Sequence, residues 1–315
     1  MKKIVTIGGG TGHYTLLRGL KNYDIELTSV VGVFDNSGSS GKIREELVDF
    51  GILPPGDIRN CLLALTEESK LKHTVNLFNY RFPSKGNLAN HNLGNLILTA
   101  AQNLYGAGEG IKIISEMLEI KGNVLPISLD STNIYAKTEE GKLLKGQIEV
   151  SYPEKNEKIK EIWLNPPAFI YKETANILRN ADLIVISPGD LYGSIIPNFL
   201  VKGVIDLIKD KKIIYVCNLV TKQGTYGFRA RDFVQEIEKY IKRKIDYVIC
   251  NIKKPEKRIV DKYKEEDSYF VEPDTTGING EVIKDNLLVE QKLGDKTIAR
   301  HHEQKTARLI MNLLE

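Results

Sequence analysis

The chain opens on a pattern change. Ile4-Val5-Thr6-Ile7 is a short β-branched run, Gly8-Gly9-Gly10-Thr11-Gly12 follows, and an apolar-periodic stretch continues from Thr15 to Leu20. This predicts a strand, a glycine turn and a helix. Leu27 to Phe34 predicts a second buried strand, and a polar loop, Asp35 to Lys42, comes after it. Helical periodicity is then read around Ile43–Val48, Asp57–Thr66, Thr74–Tyr80, Leu93–Leu104 and Ile111–Leu118. The middle changes character: Val124–Ile127, Asn133–Thr138, Leu144–Val150 and Lys160–Leu164 read as short strands with turns at Glu140-Gly141 and near Pro153-Glu154. Apolar runs resume at Leu183–Ile186, Ile213–Val216 and Tyr247–Ile249, with helices expected over Ile196–Ile208 and Ala230–Ile241. Asp274 to Asp295 reads as turns and small strands, and a last amphipathic helix is expected from His302 to Leu314.

Strands that alternate with helices imply a mainly parallel α/β sheet covered on both faces. The expectation is one domain over residues 1–315, with a small antiparallel β insertion at 119–166. In such sheets ligands sit outside the carboxyl ends of the strands, so the loops after Ile7, Phe34, Ile186, Val216 and Ile249 are the ones to read.

The first loop suits a phosphate. Glycines let the backbone approach an anion, and the free N–H groups of a helix's first turn point at it. Yet reading Gly8 and Gly10 as the start of G-x-G-x-x-G puts the third glycine on His13, so the dinucleotide fingerprint is incomplete. Candidate ligand residues are Gly9, Gly10, Thr11 and Gly12 here, and Asp35, Ser37, Ser39, Ser40 and Lys42 in the second loop, where Arg44 adds charge. Asp35 stands where dinucleotide folds place an acid for ribose hydroxyls. Asp57 reads as a helix cap, with Asn60 in the turn behind it. Asn92 and Asn95 share a helix face beside His91. Gly189, Asn218 and Thr221 follow the later strands.

Composition narrows the class. Of the 315 residues, 42% are hydrophobic and 27% charged, and the net charge is only +3. That is an ordinary globular composition with no electrostatic case for nucleic acid as partner. Three widely spaced cysteines, Cys61, Cys217 and Cys250, have no metal-ligand spacing, and no apolar run reaches a membrane span. A cytoplasmic location is the resulting expectation.

Taken together, several motifs are similar to the YvcK-type gluconeogenesis factors. They are Ile7–Gly12 with Thr15–Leu20, Ser37–Glu46, Leu53–Cys61, Asn92–Leu96, Pro188–Tyr192, Ser194–Asn198 and Cys217–Thr221. The resemblance implies a Rossmann-like, doubly wound fold. It implies a cytoplasmic factor that binds UDP-sugars, UDP-N-acetylglucosamine above all, and links gluconeogenic growth to cell-wall morphogenesis without established catalysis or a required cofactor. It also carries ligand roles over to Tyr263 and Arg300. Implied partners are the nucleotide sugar and cell-wall synthesis or signalling proteins, and homo-oligomers are compatible with it. The wider superfamily holds the magnesium-dependent 2-phospho-L-lactate transferases, which act on a deazaflavin. That is the alternative reading, with Asp35 as metal ligand. A scaffold that needs no ligand is a third.

The chain departs from the family pattern in three places. Asp35-Asn36-Ser37-Gly38 replaces Asp-Asp-Gly-Gly, Asn90-His91-Asn92 replaces Gly-His-Ser, and Asp190 stands where serine is common.

Overall fold

The computed structural model describes residues 1–46, 51–154, 157–293 and 296–314. The first half contains β1 (Lys3–Gly8), α1 (Gly10–Leu20), β2 (Glu26–Val31), α2 (Gly38–Glu46), α3 (Pro55–Leu65), α4 (Lys72–Asn79), α5 (Leu93–Tyr105), α6 (Ala107–Met117) and β3 (Asn123–Pro126). A small unit follows, made of β4 (Asn133–Thr138), β5 (Leu143–Lys145), α7 (Gly146–Ser151) and β6 (Ile159–Asn165). The chain continues through α8 (Lys172–Asn180), β7 (Leu183–Ile186), a π-turn over Leu191–Ile195, α9 (Ile196–Leu200), α10 (Val204–Ile208), β8 (Lys212–Val216) and α11 (Ala230–Ile241). It ends with β9 (Tyr247–Asn251), α12 (Lys257–Glu265), β10 (Glu281–Asp285), β11 (Leu288–Leu293), β12 (Lys296–His301) and α13 (Glu303–Asn312).

Seven strands form one parallel sheet in the order β10-β9-β8-β7-β1-β2-β3. Counted along the chain this is the 3-2-1-4-5-6 order of dinucleotide-binding folds with one strand added. The fold is Rossmann-like. Every residue of β7 is buried, as are all but the first of β1, β2 and β8. Strands covered on both faces need such continuous apolar runs. The strand order reverses between β1 and β7, and the crevice at that reversal is where the carboxyl-end loops part.

The sequence and the structure differ at identifiable points. Val124–Ile127, expected in the antiparallel insertion, supplies the edge strand β3, paired parallel to β2. The antiparallel sheet itself is β5-β4-β6. The expected strand Leu144–Val150 is split between β5 and α7. The expected helix Ile196–Ile208 breaks after Leu200, and Gly203 sits at φ +94°. The Asp274–Asp295 tail yields β10, a full member of the main sheet, and the first strand of the β11–β12 hairpin. Helices α8 and α12 had no counterpart in the periodicity reading. The end of the helix expected over Ile43–Val48 lies outside the described residues. Among the described residues no helix is long and apolar enough to cross a membrane.

α1 carries the site and is clamped from behind. It packs against α3 and α13, and Arg18 ion-pairs with Glu68 at 2.7 Å and Glu303 at 3.0 Å. Gly19 makes the close approach possible, since a Cβ there would lie 2.3 Å from the Glu303 carbonyl oxygen. Gly19→Ala is therefore expected to cost about 1–3 kcal/mol by overpacking. A lower urea midpoint at unchanged slope would show it.

Candidate functional site

The glycine turn leaves β1 and enters α1 with Gly9 as cap residue and no side-chain cap. The cap residue thus satisfies none of the first N–H groups; Gly10 N–H donates to Asp57, and the helix end turns its partial positive charge toward the crevice. Gly10 adopts φ +71° and has open space on its Cβ side. Gly12 is glycine for another reason: a Cβ would lie 2.2 Å from the Pro188 carbonyl oxygen. The β7 loop therefore packs directly on α1.

A cavity of about 190 Å³ opens at this junction. Its walls include Gly9–Gly12 and Thr15 from the first loop, Pro188–Leu191 and Ser194 from the loop after β7, Asn218–Val220 and Lys222 after β8, and Ala299–His301 from β12. Asn218 holds two loops together: its Nδ2 donates to the Gly189 carbonyl, and its Oδ1 accepts from Tyr215 Oη at 3.0 Å. His301 fastens β12 to the same place. Burial lowers its imidazole to about 4, so the ring is neutral at pH 7, and Nε2 lies 3.1 Å from the Cys217 carbonyl oxygen, to which it donates. That bond positions Arg300. Its guanidinium donates to the Ala299 carbonyl at 3.0 Å and forms no ion pair among the described residues. Arg300 is half-buried and shares the cavity with the first turn of α1.

Two acidic side chains, Asp57 and Asp35, lie beside the glycine turn outside the cavity lining. Asp57 lies in the first turn of α3, behind the cap residue Pro54, and is not the cap. Its carboxyl reaches the glycine turn: a Cβ on Gly9 would lie 2.4 Å from Asp57 Oδ2, and one on Gly56 would lie 2.9 Å from Asp35 Oδ2. Burial, then the Asp35 carboxylate, push the Asp57 carboxyl up to about 7, against the N–H that Gly10 donates to it. Among the described residues no group of three or more His, Cys, Asp or Glu gathers as a metal site.

Of the residues singled out in the sequence, Gly9, Gly10, Thr11, Gly12, Gly189, Asn218 and Arg300 come together around the cavity. The others do not line it. The Asp35–Lys42 segment is the entry to α2 rather than an open loop. Asp35 Oδ1 accepts from Ser37 N–H at 2.9 Å and Ser37 Oγ at 2.6 Å. Ser39 Oγ accepts from Asn92 N–H, and Ser40 Oγ accepts from Gly56 N–H. Lys42 is exposed, and the Arg44 side chain lies outside the described residues.

The expected reading amides are bound internally as well. Asn92 caps α5 by accepting from Asn95 N–H at 3.0 Å, while Asn95 and Asn60 accept from the buried Arg59 guanidinium at 2.9 and 2.8 Å. Thr221 pairs with Tyr269 through backbone and side chain. Tyr263 accepts from Ala299 N–H at 3.0 Å and packs edge-on to Phe270, so it braces β12 behind Arg300.

Sequence reasoning missed Lys222, one residue beyond the Cys217–Thr221 motif. The acid at 190 is not a bare charge beside an anion site. Burial alone would raise the Asp190 carboxyl, but Lys222 at 2.8 Å overcomes this and holds it below the ordinary range.

The comparisons with known proteins bear on family and fold. The model of 2-phospho-L-lactate transferase CofD matches residues 4–288. A putative gluconeogenesis factor of Thermotoga maritima is 43% identical over 91% of each chain. The gluconeogenesis factor of Bacillus subtilis is 37% identical over 99% of this chain and 98% of its own. A crystal structure of a UPF0052 family member from Bacillus halodurans superposes with a TM-score of 0.90 at 35% identity, covering 98% of both chains. The chain belongs to the gluconeogenesis factor family, within the CofD superfamily.

Asp57 makes stability depend on pH. The folded protein holds this proton more tightly than the unfolded chain does at its ordinary value of 3.8, so stability falls as pH rises from about 4 to about 7. Asp57→Asn keeps an acceptor for Gly10 N–H and removes the charge. It is expected to be more stable than the parent at about pH 8, with the advantage vanishing near pH 4. Urea unfolding at both pH values measures the difference.

Proposed function

We propose that this chain is a UDP-sugar-binding regulatory factor, with UDP-N-acetylglucosamine as ligand, that acts in gluconeogenic growth and in cell-wall morphogenesis. The observation that carries the reading is the unpaired Arg300 guanidinium facing the uncapped N-terminus of α1 across one cavity. A diphosphate would meet a fixed fork of donors on one side and backbone N–H groups on the other. Asn218 and the Gly189 loop stand beside it as polar groups for base or sugar. Family membership supports the gluconeogenic part of the role.

Binding needs no chemistry beyond this, since a sensor only has to bind its ligand better in one state than another. Calorimetry with purified protein is expected to show saturable binding of UDP-N-acetylglucosamine. Arg300→Ala is expected to weaken it by about ten- to a hundredfold, the usual cost of removing a charge-assisted bidentate contact. An isotherm that stays flat at millimolar ligand would remove the proposal.

A second reading has its own observation, the Asp35–Asp57 pair. Magnesium is commonly held by one or two carboxylates together with substrate phosphates, and two adjacent carboxyls, one raised by the other, fit that donor set. Asp35 and Asp57 would hold the ion, which would neutralise phosphate charge during transfer to a deazaflavin. Nucleotide release on mixing protein, magnesium, deazaflavin and activated phospholactate would support this reading. A flat assay would exclude it.

A further inference from the structure

Lys222 lines the cavity, yet its charge is already engaged. Its Nζ donates to Asp190 Oδ2 at 2.8 Å and lies 4.9 Å from the centre of the Tyr152 ring. The two partners are unequal. The Asp190 side chain is 9% exposed and the Lys222 side chain 39%. Asp190 is also bonded without the lysine: Gly193 N–H donates to its Oδ1 at 3.0 Å and the Ser151 hydroxyl donates to it. Departure of the ammonium would leave that carboxylate with two donors. The lysine backbone would stay in place, because Lys222 N–H donates to Thr225 Oγ1 at 2.9 Å.

Around this ion pair lies helix α7. Ser151 ends it and Tyr152 follows it. Gln147 donates to the Gly193 carbonyl at 3.2 Å, and Ile148 N–H donates to Asn36 Oδ1 at 3.2 Å. So α7 touches the loop after β2, the π-turn after β7 and, through Tyr152, the lysine that lines the cavity. Ile148 and Tyr152 are both exposed on the outer side of this segment.

We propose that Lys222 is a second cation of the ligand site, exchanged from Asp190 to the diphosphate when a nucleotide sugar binds, and that this exchange loosens α7. The proposal rests on the reading of the cavity as a nucleotide-sugar site. A dianionic group between Arg300 and α1 attracts the ammonium, whose flexible stem lets it turn without moving the backbone. Asp190 competes for the same charge. It therefore lowers affinity and makes occupancy conditional on breaking an existing contact. The released lysine no longer lies over Tyr152, so cavity occupancy reaches a surface segment through one side chain.

The test compares the parent protein with Lys222→Met, Lys222→Arg and Asp190→Asn. Calorimetry uses UDP-N-acetylglucosamine, and hydrogen exchange follows the amides of residues 146–152. Lys222→Met is expected to bind about tenfold more weakly, with Lys222→Arg restoring most of the loss. Asp190→Asn keeps its acceptor for Gly193 N–H and is expected to bind severalfold more tightly. Ligand should speed exchange over 146–152 in the parent, while in Lys222→Met that exchange should be fast with or without ligand. Parent-like binding by Lys222→Met, or weaker binding by Asp190→Asn, overturns the exchange and leaves the reading of the cavity intact. Absence of binding to the parent overturns both.

Discussion

An α-helix that begins without a cap must satisfy its first N–H groups with something outside itself, and the rest of this structure is arranged around that requirement at α1. Gly9 supplies no side-chain acceptor. The helix end opens at the reversal of strand order between β1 and β7, where adjacent loops part and a ligand can enter. Gly12 allows the β7 loop to close on one side of it, and Gly19 allows α13 to close on the other end. The turn is thus held by packing at both ends, and its Gly10 N–H donates to Asp57.

The charges around that helix end are unequal in kind. Arg300 is a fixed cation, because β12 is fastened by His301 to the end of β8 and by Tyr263 from behind. Lys222 is a reserved one, because Asp190 already holds it. Asp57 is a carboxyl close to its midpoint at neutral pH, because Asp35 lies beside it in a poorly solvated place. The surroundings of the turn thus hold one cation without an acid partner, one cation paired with Asp190, and one acid raised by burial.

Much of the fold was legible in the pattern of residues. Ile4–Ile7, Leu183–Ile186 and Ile213–Val216 read as buried parallel strands because short β-branched runs between turn signals suit strands covered on both faces. Val124–Ile127 was equally recognisable as a strand, but the side on which it pairs is not a property of the strand itself. Leu144–Val150 alternates well enough for a strand, yet Gly146 at φ +85° turns the chain into a helix there. The site was legible in the glycine turn, Gly189, Asn218 and Arg300, which line the cavity, and not in the other polar loops. Asn92, Asn95 and Asn60 have the right chemistry for a ligand and spend it on a helix cap and on Arg59. Nothing in an asparagine's local sequence distinguishes the two uses.

By itself the sequence determined that a phosphate-ready turn joins the first strand to the first helix, because glycine spacing and hydrophobic period are local properties of the chain. It also determined the family, through motifs whose order along the chain is specific. Only the tertiary structure decided which side chains surround that turn. Arg300 lies almost the whole chain length away from Gly10, and Lys222 and Asp190 are 32 residues apart. Electrostatic interactions act through space and depend on distance and burial. Which cations line the cavity, and which of them has an acid partner, was therefore settled when the strands took their order in the sheet.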